Sequence, residues 1–119
     1  MICRPSGPSP TFSYISAWYK YYAYVRPENL ASGWSRDRIV TELNAAGVPC
    51  MQGSCSEIYL EKAFEDTGMR PQTRLLVARE MGETSLMFLV HPTLDQEHID
   101  HTCACLSETL ERATGSQIQ

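Results

Sequence analysis

Residues 17–25 are an almost unbroken run of apolar and aromatic side chains, and Pro27 closes it. That composition with a proline stop predicts a strand. Alternation sets Trp18, Lys20, Tyr22 and Tyr24 on one side and Tyr19, Tyr21, Ala23 and Val25 on the other. Both sides are largely apolar, so the strand calls for cover on two faces. The period then changes. Ser35 is a good N-cap for a helix over residues 36–46, with Ile39, Val40, Leu43 and Ala46 on one stripe and Gly47 as the stop. Residues 48–52 read as a short second strand, near a sheet edge because Pro49 cannot donate to a ladder. Ser54 and Glu57 have capping-box spacing, which predicts a short helix from Cys55 to about Phe64. After a turn-rich connection with Gly68 and Pro71, a third helix is expected over about 74–81, stopped by Gly82. Residues 84–90 hold five successive apolar side chains, Leu86 to Val90, and are too short for an independent helix; they predict the central strand. Asp95 caps a final helix running to about Arg112.

Strand, helix, strand, two short helices, strand and helix make an α+β chain, a two-layer α/β sandwich. The expected sheet is small, three-stranded, mixed or antiparallel, with helices mainly on one face and the last strand antiparallel between the other two. Residues 1–13 read as a flexible tail, 14–113 as one small domain and 114–119 as a frayed end. The uncovered face would expose an apolar patch, which predicts self-association through Trp18, Tyr22 and Tyr24, or through Tyr19 and Tyr21.

Composition narrows this picture. The 119 residues are 43% hydrophobic and 20% charged, the profile of a soluble single domain. A net charge of -4 gives no electrostatic reason to expect nucleic acid or an anionic membrane. No apolar run approaches the roughly 20 residues that cross a bilayer, and the first ten residues lack the apolar stretch of a secretion signal, so the expected compartment is cytoplasmic. The five cysteines have no framework spacing and are expected as free thiols. Cys103 and Cys105 beside His98 and His101 invite a metal reading. At roughly 100° per residue, however, Cys103 falls with Ile99, Leu106 and Leu110 on an apolar face, and His98, His101 and Cys105 on the wet one. A core cysteine with solvated histidines, and no metal, is the expectation. No Ser-His-Asp grouping, phosphate loop or paired carboxylates at useful spacing is present, and His91 before Pro92 reads as a backbone corner.

Several segments resemble a known family. Arg36-Asp37-Arg38-Ile39-Val40 and Leu43-Asn44-Ala45-Ala46-Gly47-Val48-Pro49 are similar to the small-domain helix and strand of the DegT-like nucleotide-sugar aminotransferases. Val77-Ala78-Arg79-Glu80, then Ser85-Leu86 and His91-Pro92-Thr93-Leu94, resemble their later helix and closing strand. The aromatic run before Val25-Arg26-Pro27 resembles the strand that opens this domain, and Gly53-Ser54-Cys55-Ser56-Glu57-Ile58-Tyr59 is similar to one branch of the family. The resemblance covers about residues 14–113. Two departures accompany it: Gly53 and Ser54 stand where many relatives carry a histidine and a tyrosine, and Phe88-Leu89-Val90 lacks a proline usual in the closing strand.

The resemblance implies the C-terminal small domain of a pyridoxal-phosphate-dependent transferase that moves an amino group onto a keto-sugar carried on a nucleotide, in polysaccharide biosynthesis. It implies oligomers, and a large domain or subunit as partner that supplies the cofactor lysine and phosphate pocket. Lys20 and Lys62 are the only lysines here, and neither lies in a context resembling that of the cofactor lysine. The chain alone is therefore expected to hold no cofactor, to have no catalytic residue and to be inactive; a free-standing, non-catalytic binding module of the same fold is the alternative. The candidate substrate-binding residues are Gly53, Ser54, Cys55, Ser56, Glu57 and Tyr59. Glycine permits close ligand approach, and hydroxyls beside helix-start amides suit hydroxyl or phosphate groups. Ser54 and Glu57 read equally well as a helix cap, Tyr59 as packing and Cys55 as structural.

Overall fold

A computed structural model describes residues 18–53 and 55–115. The strand β1 (Lys20–Tyr24) leads to the helix α1 (Arg36–Ala45), which Ser35 caps by accepting from the Arg38 amide. Leu43 carbonyl accepts from the Val48 amide as the chain turns at Gly47, whose φ of 81° suits glycine. The short strand β2 (Cys50–Gln52) follows, then the 3-10 turns Ile58–Leu60 and Lys62–Phe64. The helix α2 (Leu76–Thr84) runs directly into the strand β3 (Ser85–Leu89), and the helix α3 (Gln96–Thr114) completes the domain.

The sheet has the order β1-β3-β2 and is antiparallel throughout, as the pattern predicted. Lys20 pairs with Leu89 and Tyr24 with Ser85; on the other edge Cys50 pairs with Phe88 and Gln52 with Leu86. That register puts Ala23, Leu86, Phe88 and Cys50 on one face, where they pack with Ile39, Leu43, Val48 and Ala113 into the core. Among these, Ile39, Leu43 and Ala113 are fully buried. α1 and α3 are also bound through charge. Arg112 Nη2 donates to Glu42 Oε2 at 2.8 Å, Arg38 approaches the same carboxyl, and both guanidinium groups lie over the Trp34 ring. The Arg112 hydrogen bond holds the Glu42 carboxyl below the ordinary carboxylate range.

Four local expectations are corrected. Residues 55–64 form two separate 3-10 turns and not a helix: Glu57 makes no side-chain cap, and its carboxylate is engaged elsewhere. The third helix does not stop at Gly82 but continues through it to Thr84, and Arg74 lies before its start. On α3 the buried face is rotated from the expected one. Cys105, Leu106 and Leu110 pack against the core, Thr109 and Ala113 are buried, and Cys103 and Ile99 are exposed. His101 remains on the surface, with Nε2 3.1 Å from the Ala46 carbonyl and the Cys105 sulfur 3.6 Å away. α3 also extends to Thr114, where Gly115 closes it in the left-handed conformation. Residues 1–17, 54 and 116–119, and with them the expected tail, lie outside the described residues. Among the described residues no helix is long and apolar enough to cross a membrane.

Candidate functional site

The second face of the sheet carries Lys20, Tyr22 and Tyr24 from β1, Met51 from β2, and Ser85, Met87 and Leu89 from β3. Met87 is buried between its strand neighbours, but Tyr22, Tyr24, Met51 and Leu89 stay exposed. Neither α1 nor α3 covers this side. Instead the sheet meets the segment from Cys55 to Thr84 in an open groove of about 980 Å³. Tyr22, Tyr24 and Ser85 form its floor, Cys55 and Ser56 one wall, and Arg74, Leu75, Leu76, Val77 and Met81 the other. Leu76 and Val77 are 76% and 69% exposed, unusual for two adjacent aliphatic side chains at the start of a helix.

The first wall is held by close backbone approach. The Gly53 amide donates to Ser85 Oγ at 3.2 Å, and a Cβ at Gly53 would lie 2.3 Å from that oxygen and 2.8 Å from Ser85 Cβ. The sequence pointed to glycine for close approach of a ligand; in the structure the close neighbour is Ser85, and the missing Cβ lets the loop lie on the start of the central strand. A Cβ at Gly82 would likewise come within 2.4 Å of Ser56 Oγ. The first wall thus meets the floor at Gly53 and the second wall at Gly82.

Beneath the second wall lies a polar cluster. Arg74 clamps Glu57 with Nε to Oε1 at 2.7 Å and Nη2 to Oε2 at 2.5 Å, and Tyr59 donates to the same Oε1 at 2.7 Å. The Tyr59 hydroxyl accepts in turn from the Leu75 amide at 3.0 Å, at the foot of α2. The hydrogen bonds from Arg74 and Tyr59 lower the Glu57 pKa to about 2. Burial, then the Glu57 bond, raises that of Tyr59. Arg70 secures the 3-10 turns by donating to the Tyr59, Leu60 and Glu61 carbonyls.

Of the six residues singled out in the sequence, Cys55 and Ser56 line the groove. Gly53 sits behind it against Ser85, Glu57 and Tyr59 brace its wall, and Ser54 lies outside the described residues. Cys55 Sγ is 3.7 Å from Glu61 Oε1. His91 closes the turn after β3, its Nδ1 2.7 Å from Thr93 Oγ1. Among the described residues no group of three or more metal-ligating side chains forms. The α2 contribution was missed, although Leu75-Leu76-Val77 followed by Met81 exceeds what one helical stripe can bury and marks a surplus.

A solved structure carries the same arrangement of elements. Residues of this chain superpose on the X-ray structure of the aminotransferase from Psychrobacter cryohalolentis with a TM-score of 0.79 and 54% sequence identity, over 83% of this chain. The fold is related to that of an aminotransferase. The match covers 25% of that chain, so the present sequence spans about a quarter of its length. No family model matches the sequence, and no curated protein does.

Pyridoxal phosphate would require a lysine in the groove. Lys20 Nζ lies 5.0 Å over the Tyr19 ring, and Lys62 is exposed in the second 3-10 turn; neither lines the groove. The described residues by themselves do not fit that cofactor.

Proposed function

We propose that this chain acts as the small domain of a pyridoxal-phosphate-dependent aminotransferase of the DegT-like type, closing one side of an active site built largely by other residues. The observation that carries this reading is the 54% identity to a quarter of an aminotransferase chain. The open apolar groove supports it, because a wall with Leu76 and Val77 so exposed is suited to packing against a larger body. On this reading the remaining part, in the same or another polypeptide, holds the cofactor, which when bound supplies the electron sink for amino transfer. The groove side faces a nucleotide-linked keto-sugar. Ser56 offers a hydroxyl to that substrate; Tyr22 and Tyr24 give it an aromatic floor; and Leu75, Leu76 and Met81 exclude water from the closed site.

The test is a chimera in which residues 18–115 replace the matching quarter of the Psychrobacter cryohalolentis aminotransferase. The expected result is a folded, cofactor-loaded enzyme that aminates a nucleotide keto-sugar. Changing Ser56 to alanine should raise its KM. A chimera that loads cofactor and accepts an amino donor, yet aminates no nucleotide-linked sugar, refutes the substrate assignment.

A further inference from the structure

Arg36 opens α1 on the far side of the sheet from the groove, yet its side chain is only 12% exposed and reaches both ends of the α2–β3 junction. Its Nη1 donates to the Gly82 carbonyl and to the Ser85 carbonyl, each at 2.9 Å. Gly82 lies in the last turn of α2, where carbonyls have no partner within the helix, so Arg36 caps a helix remote from its own. Its Nε donates to Asp37 Oδ1 at 2.7 Å, and the same oxygen accepts from Gln52 Nε2 at 3.0 Å. Gln52 ends β2 immediately before Gly53, whose amide is bonded to Ser85 Oγ. Both walls of the groove, the loop carrying Cys55 and Ser56 and the helix carrying Leu76 and Met81, therefore lead back to one guanidinium group.

We propose that Arg36 is a positioning residue that sets the separation of the two groove walls and so controls how tightly the amino-acceptor substrate is held. The proposal rests on the aminotransferase reading above. Arginine is needed because a planar fork can satisfy two carbonyls and a carboxylate at once, whereas a lysine ammonium on a flexible stem cannot hold that geometry. The glycines at 53 and 82 supply the complementary half, since each lets a wall approach its neighbour to a distance that a Cβ would forbid. Arg36 does not itself line the groove; it acts through the Ser85 and Gly82 carbonyls.

Two measurements test this. In the 119-residue chain, amide hydrogen exchange should show Gly53 losing protection about tenfold or more in Arg36→Met, and less in Arg36→Lys, with the Leu43 and Leu86 amides unchanged. Equal loss at all three amides makes Arg36 a general stability residue and overturns the proposal, as does an unaltered Gly53. In the chimera, Arg36→Met should raise the KM for the sugar acceptor about tenfold while kcat stays within about threefold. An active chimera whose KM ignores the substitution overturns the positioning role. An inactive chimera counts against the function proposed above, and the exchange data then decide the positioning role alone.

Discussion

Gly53 is needed for space and not for an unusual backbone angle. Alanine there would press on Ser85 Oγ and Cβ, and the Cβ belongs to the central strand, which has little freedom to retreat. Gly53→Ala should cost about 1–3 kcal/mol by denaturant unfolding, and Ser85→Gly in the same chain should restore part of it. Glu57 makes a different prediction. Its pKa falls from the ordinary value of 4.5 to about 2 on folding, so its contribution is complete above about pH 4.5 and is lost as pH drops through 2. The carboxyl carbon resonance of Glu57 should titrate near 2, and stability between pH 4.5 and 2 should fall less steeply in Glu57→Gln than in the native chain. Residue spacing hid this role. Ser54 and Glu57 read as a cap because the motif is local, while the partner that takes the carboxylate, Arg74, is 17 residues further on.

Elements whose apolar stripe faces the core were legible. α1 was fixed by Ser35, Gly47 and the positions of Ile39 and Leu43, and the last two are fully buried as expected. Leu43→Ala should therefore cost about 2–5 kcal/mol in equilibrium unfolding, with a larger change than Val40→Ala on the flank of the same stripe. α3 was misread by a fraction of a turn because hydropathy counts threonine as polar. Thr102 and Thr114 satisfy their hydroxyls on the carbonyls four residues back, so such side chains can turn toward the core, and Thr109 is buried there. That draws Cys105 inward and leaves Cys103 outside. The segment after β2 was misread for another reason. Its turns are held by long-range bonds from Arg70 and Arg74, and 3-10 turns of three residues carry no periodic signal.

For the molecule as a whole, sheet order followed from the uninterrupted apolar run of β3, which only a central position could cover from both edges. The same logic foresaw one face short of cover, and the structure adds the exposed start of α2 to it. The isolated chain should associate with itself through this surface. Sedimentation at rising concentration should show weighted mass increasing, and replacing Leu76 and Val77 together by glutamate should suppress the increase while changing stability by only about 0.5 kcal/mol. A monomer at every concentration, in the native chain, would show that Tyr22, Tyr24, Leu76 and Val77 do not form a contiguous sticky surface.

Thr84 ends α2 and Ser85 begins β3 with no residue between them. Chain length is consequently free to vary in one place and fixed in another. Residues 66–69 cross the surface with a left-handed Asp66 and Gly68, and can gain or lose residues without disturbing the sheet. A single residue inserted after Thr84 would instead turn α2 by about 100° relative to the strand it feeds. It would carry Leu76 and Met81 away from the groove and break the Arg36 bond to the Gly82 carbonyl while leaving Ser85 in the sheet. Natural variants of this domain should therefore differ in length across 66–69 and keep the 84–85 junction without gaps, and a deep insertion scan read out by protein abundance should show the same contrast.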